Sequence, residues 1–108
     1  MDATETAVAA PPRRIPAWRF PHDACPDAVL HMLDSIIADV TPRILKRAEA
    51  VHLQCEVITS DSGTDVMLVI PPDTPESTVQ FFAPALAQAC VEEFLDAMAR
   101  AHVASGIA

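Results

Sequence analysis

The sequence predicts an α+β fold in the order helix, strand, strand, helix (α-β-β-α), its helices packed on a small antiparallel sheet. Three observations carry this. Apolar residues recur at three- and four-residue spacing over 29–44, alternate with polar ones over 51–57 with a return run at 65–70, and resume helical spacing over 79–98. With 108 residues the chain supports one core, so residues 23–108 are expected to be a single α+β domain.

Residues 1–22 read as an irregular, Pro-rich N-terminal arm. Pro11, Pro12, Pro16 and Pro21 fix φ, remove backbone donors and push their predecessors toward extended geometry. The arm still holds Arg13, Arg14 and Arg19, as well as Trp18, the one Trp of the chain, with Phe20 two positions on. These are anchors, which makes a docking arm the expectation rather than a linker.

The first helix is expected to open after Cys25, with Pro26 at its first position and Asp27 in the first turn, where an anion suits the macrodipole. Val29, Leu33, Ile36, Ile37, Val40 and Ile44 then form one apolar face. Thr41-Pro42 interrupts them and predicts either a kink or two consecutive helices, with Thr41 capping the second.

From Val51 the period becomes two: Val51, Leu53, Cys55 and Val57 lie on one side, His52, Gln54 and Glu56 on the other. Residues 60–63 form the turn, with Gly63 at a left-handed position, and Asp65 to Ile70 returns until Pro71 and Pro72 stop it. Asp73 and Glu76 resemble a capping box, and Val79, Phe82, Leu86, Cys90, Phe94 and Met98 continue as a helix. Pro84 inside that helix costs about 3 kcal/mol, so residues 77–82 have the alternative of a third strand before a helix that starts at Pro84. The helical spacing favours the kinked helix. A hairpin alone is marginal in water, and Ile58, Met67 and Val69 make its outward side apolar as well. Cover from a second copy, from a partner strand, or from Trp18 and Phe20 of a folded-back arm is expected.

The net charge of -8 opposes phosphate backbones and anionic lipid alike, so neither nucleic acid nor membrane is an expected direct partner. Between Ala48 and Ala99 there is no Lys or Arg, while nine acidic residues lie there, which makes the hairpin and second helix one-signed. Cys25, Cys55 and Cys90 are odd in number and widely spaced, as in a reduced cytoplasmic protein. The start lacks a basic secretion n-region, and no apolar run reaches the ~20 residues of a membrane span.

Signals for chemistry are sparse. His22, Cys25 and His31 form the densest group of potential ligands, but their spacing fits no common zinc pattern. The Asp61–Asp65 turn is too short for a calcium loop, and no Gly-rich phosphate loop exists. No catalytic residue, metal or cofactor is therefore expected. The expected function is a non-catalytic protein-protein interaction module: a small acidic cytosolic adaptor, chaperone or regulator, dimeric, with a protein partner of basic surface. Its expected contact residues are Arg13, Arg14, Trp18, Arg19 and Phe20 on the arm, and Glu56, Asp61, Asp65, Glu92, Glu93 and Asp96 on the acidic body. The size, charge and helix-plus-hairpin character are similar to those of small acidic secretion chaperones. The alternatives are an acidic inhibitor of phage counter-defence type that mimics nucleic acid, and a small enzyme or accessory subunit using the His22/Cys25/His31 region.

Overall fold

A computed structural model describes residues 11–104 and 106. The fold is α+β: strand β1 (Arg13–Pro21), helix α1 (Leu33–Ala50), strands β2 (Gln54–Thr59) and β3 (Gly63–Ile70), and helix α2 (Glu76–Ala104). The sheet order is β1-β3-β2, both pairings antiparallel. Both helices lie on one face, α1 beneath β2 and α2 beneath β1 and β3.

The largest correction to the sequence reading is β1. Residues 13–21, expected as part of an irregular arm, are the third strand, and the domain begins no later than Arg13 rather than at residue 23. Residues 1–10 of that expected arm lie outside the described residues. Prolines are compatible with this strand because it is a sheet edge and because the register shifts between Pro16 and Trp18, a bulge that leaves Ala17 out of the pairing. The bulge also sets which way the anchors point. Ile15, Trp18 and Phe20 stand opposite Leu68, Val66 and Thr64, on the helix side of the sheet rather than laid over its outer face. There Phe20 stacks on Phe94 with centroids 4.6 Å apart, and Trp18 tilts against the same ring at 5.1 Å.

The remaining elements follow their apolar stripes. Ile36, Val40, Ile44 and Ala48 recur every four residues as the buried face of α1. Pro42 neither kinks the chain into two helices nor needs a cap from Thr41, whose hydroxyl instead donates to the Ile37 carbonyl at 2.8 Å. Ahead of α1, the expected first turns are 3-10 geometry over Asp27–Met32, where Val29 is the one buried side chain. The helix α2 runs unbroken through Pro84, so the third strand at 77–82 does not form; the strand that the hairpin needed is β1. The turn before α2 is closed by Thr74 rather than Asp73, through its N–H and its hydroxyl to the Pro71 carbonyl.

Residues 51–53, expected as strand, close α1. His52 has φ 60, the Leu53 N–H donates to the Ala48 carbonyl at 2.9 Å, and the His52 N–H donates to Glu49 at 3.0 Å. This is the Schellman arrangement, in which glycine normally takes the left-handed position. Gly63 in turn is not left-handed, since among the described residues Gly106 is the one glycine with positive φ. It is small for a different reason: a Cβ there would lie 2.6 Å from Cζ of Arg19, whose guanidinium rests on the strand.

Two outcomes are expected in urea denaturation. Phe20→Ala lowers stability by about 3–5 kcal/mol, the scale for a buried aromatic, whereas an independent arm would lose almost nothing. His52→Gly raises stability by about 1 kcal/mol by relieving the left-handed backbone; no gain would remove the strain argument.

Candidate functional site

The residues expected to meet a partner largely meet one another. Arg14 donates to both carboxylate oxygens of Glu56 at 2.9 and 3.2 Å, reaching across β3 over Val69 and Met67. Arg19 pairs with Asp65 at 2.7 Å and donates to the Ser62 hydroxyl at 3.0 Å. Arg13 reaches the first turn of α2, to the Thr74 carbonyl and Glu76, both at 3.4 Å. Arg47 of α1 sits between Glu92 and Glu93 at 2.9 and 3.3 Å, and Arg100 joins Asp96 to Asp39. Phe20 is buried in the core and half-buried Trp18 packs against it, while Asp61 lies exposed at the hairpin turn. The one-signed hairpin and helix of the sequence are thus interleaved with arginines from elsewhere in the chain. Arg43 pairs with Asp39 at 3.0 Å, which leaves Lys46 as the one Lys or Arg among the described residues outside these pairs.

These pairs hold several carboxylates below their ordinary range. Asp39 is lowered by hydrogen bonds from Arg100 and then Arg43, Glu56 by its bond from Arg14, and Glu92 by bonds from Gln88 and then Arg47. The thiols move the other way. Burial pushes Cys25 and Cys55 up and takes Cys90 to about 12, so they stay protonated and poor nucleophiles near neutrality. His22 is tied to the hairpin, with Nε2 at 3.0 Å from the hydroxyl of buried Thr64 and Nδ1 at 3.3 Å from the Asp61 carbonyl. His31 is exposed and Cys25 buried. Among the described residues no three His, Cys, Asp or Glu side chains gather as a metal-holding group. No helix there is long and apolar enough to cross a membrane.

The fold also leaves an apolar surface uncovered. A groove of about 420 Å³ runs between the end of α1 and the first half of α2, floored by Ala48, Leu86 and Ala89 and walled by Val51, Leu53, Phe81 and Phe82. Phe81 is 70% exposed and Val51 56% exposed on its rim. The charge at its Arg47 end is negative on balance, one guanidinium against Glu92 and Glu93. The sequence pattern held a trace of this groove. Adjacent helix positions are about 100° apart, so Phe81 and Phe82 cannot both face the core, and Phe81 falls off the apolar stripe. Val51 gave no such signal because it read as strand.

No family model, curated protein or solved structure matches this chain.

Lowered carboxylate pKa values stabilise the fold above their unfolded values near pH 4, and that contribution is lost as pH falls through the lower folded values. Thermal melts from about pH 6 to about pH 3 are expected to show Tm falling less for Asp39→Asn than for the wild type; parallel slopes would show that the Asp39 pairs contribute nothing.

Proposed function

We propose that the protein is a non-catalytic interaction module that docks an amphipathic, basic-flanked segment of a partner protein in the α1–α2 groove. The observation that carries this reading is the groove itself: a continuous apolar surface with an exposed Phe81, on a molecule whose arginines are otherwise matched to carboxylates. Exposed aromatics beside small-residue hollows are the usual anchors of helix-in-groove recognition. The Glu92–Arg47–Glu93 end of the groove and the net charge of -8 favour a cationic flank on the partner and speed its approach. Docking through a free Trp18 arm is given up, because Phe20 is buried in the core and Trp18 packs against it. The nucleic-acid mimic needs an uncompensated row of carboxylates, and Glu56, Asp65, Glu92, Glu93 and Asp96 all share arginines. The enzyme reading needs an activated group near His22, and the neighbouring Cys25 thiol is shifted away from its reactive form.

Affinity purification from the source cell compares wild type, Phe81→Asp and Arg14→Ala. A partner retained by wild type and Arg14→Ala but weakened about 30-fold or more by Phe81→Asp is the expected result, the scale of a single hot-spot anchor. Identical captured proteins for wild type and Phe81→Asp would sink the groove reading.

A further inference from the structure

Helix α2 carries apolar residues on two opposite sides. Val79, Leu86, Cys90, Phe94, Ala97 and Ala101 are buried toward the sheet and α1. At 100° per residue, Phe81, Ala85, Gln88, Glu92, Leu95 and Ala99 lie within about 40° of one line down the opposite side, and all six are exposed, Phe81 by 70% and Leu95 by 59%. Their spacing alternates between four and three residues, which is the a/d seam of a helix that packs against another helix. An outward helix face is ordinarily polar, so a second apolar seam calls for a second packing surface.

We infer that this seam is a homodimer surface, on which α2 of a second copy lies antiparallel across a twofold axis level with Cys90. In that register the seam is its own complement: Phe81 of each copy faces Ala99 of the other, Leu95 faces Ala85, and Gln88 faces Glu92. Each large apolar side chain meets a small one. The polar layer closes too, since Gln88 donates to its own Glu92 at 3.1 Å and has a second N–H for the Glu92 across the axis. Arg47, 2.9 Å from Glu92, brings the countercharge to that layer. Beside the seam, Phe82, Pro84, Ala89, Val91 and Met98 are apolar and Asp96 is held by Arg100, so two copies of net charge -8 bring no bare like charges together here. Other registers lack this match. An axis level with Glu92, or parallel helices, sets the two Glu92 carboxylates against each other; an axis level with Gln88 puts Phe81 on Leu95 and Glu92 on Pro84. The pairing runs roughly 27 Å along the helix and buries on the order of 500 Å² per copy, the size of a weak and reversible interface.

Ala85 is also a wall of the α1–α2 groove and Phe81 its rim, so Leu95 and Ala99 of the second copy close over that groove. The dimer stands without the function proposed above; that it masks the docking site, and that a docking segment must displace it, rests on that reading. A second hollow of about 560 Å³, between α1 and β2 and lined by Leu45, Lys46, Glu49 and Leu53 among others, lies on the other flank of α1 and takes no part.

Sedimentation equilibrium tests the seam. At about 100 µM the expected mass is twice the protomer's 11.6 kDa. Leu95→Glu, outside the groove, raises the dimer Kd about 30-fold or more; Gln88→Glu raises it about tenfold, and Gln88→Lys does not raise it. Under mild oxidation the double variant Ala85→Cys/Leu95→Cys cross-links to its own copy and Leu95→Cys alone does not, because the two Leu95 positions stand about 15 Å apart along the helices. A protomer mass up to about millimolar protein, or a dimer indifferent to Leu95→Glu, overturns the surface. Cross-linking of Leu95→Cys alone, or equal Kd for Gln88→Glu and Gln88→Lys, overturns the register. A dimer that forms as expected with no capture dependent on Phe81 overturns the docking reading alone, and such capture by a strictly monomeric protein overturns the seam alone. Circular dichroism melts identify folded variants: a folded, monomeric Leu95→Glu counts for the interface, and if that variant does not fold, the contrast between Gln88→Glu and Gln88→Lys decides.

Discussion

The fold rests on the contact between its first strand and its last helix. Phe20 and Trp18 meet Phe94 from opposite ends of the described chain, and that closure supplies the third strand without which the hairpin has no stable sheet. It also determines the surface. Once Trp18 and Phe20 point inward, the alternation of a strand sends Arg14 and Arg19 outward, directly over the acidic residues of the hairpin. A single hydrophobic choice therefore places two ion pairs. Each exposed pair contributes little stability, but together they cover an outer face whose Val69 would otherwise stand open.

Charge along the chain and charge in space differ here for the same reason. The stretch between Ala48 and Ala99 lacks Lys and Arg, yet Arg13, Arg14 and Arg19 arrive from β1, Arg47 from α1 and Arg100 from the end of α2. The surplus that survives lies elsewhere, on residues such as Asp23, Asp27, Asp34, Asp61 and Asp73, which take part in no ion pair among the described residues. Apart from these charges, the surface that the ion pairs leave uncovered includes the groove around Phe81 and the open edge of β2.

Both helices and the hairpin were legible in the sequence because each has one buried face at a regular period, visible in Ile36, Val40 and Ile44 and in Val66, Leu68 and Ile70. The first strand was not, because Pro16 and Pro21 carry the signature of irregular chain, and nothing local says that the strand will be an edge with a bulge. Residues 51–53 misled in the opposite direction. Their apolar alternation is that of a strand, but the Val51 and Leu53 N–H groups both close on the Ala48 carbonyl, and Leu53 reaches it only if His52 turns left-handed. Of the candidate site, the arginines and carboxylates were legible as residues and not as pairs, since pairing depends on the register of β1 against β3.

The end of α1 is where these strands of argument join. Its last turns place Ala48, Ala50 and Val51 on the groove side and Leu45, Lys46 and Glu49 on the β2 side, and Leu53 lines both hollows. Leu53 holds this position because its N–H closes the helix, so the backbone bond that ends α1 also fixes the ridge between the two surfaces. A residue other than glycine at position 52 works against that closure through its left-handed φ, and the burial of Ala48 beneath the cap offsets it. The ridge is thus held by a hydrogen bond and a small buried side chain rather than by an ion pair. Salt screens the exposed arginine pairs around it more than this short backbone hydrogen bond.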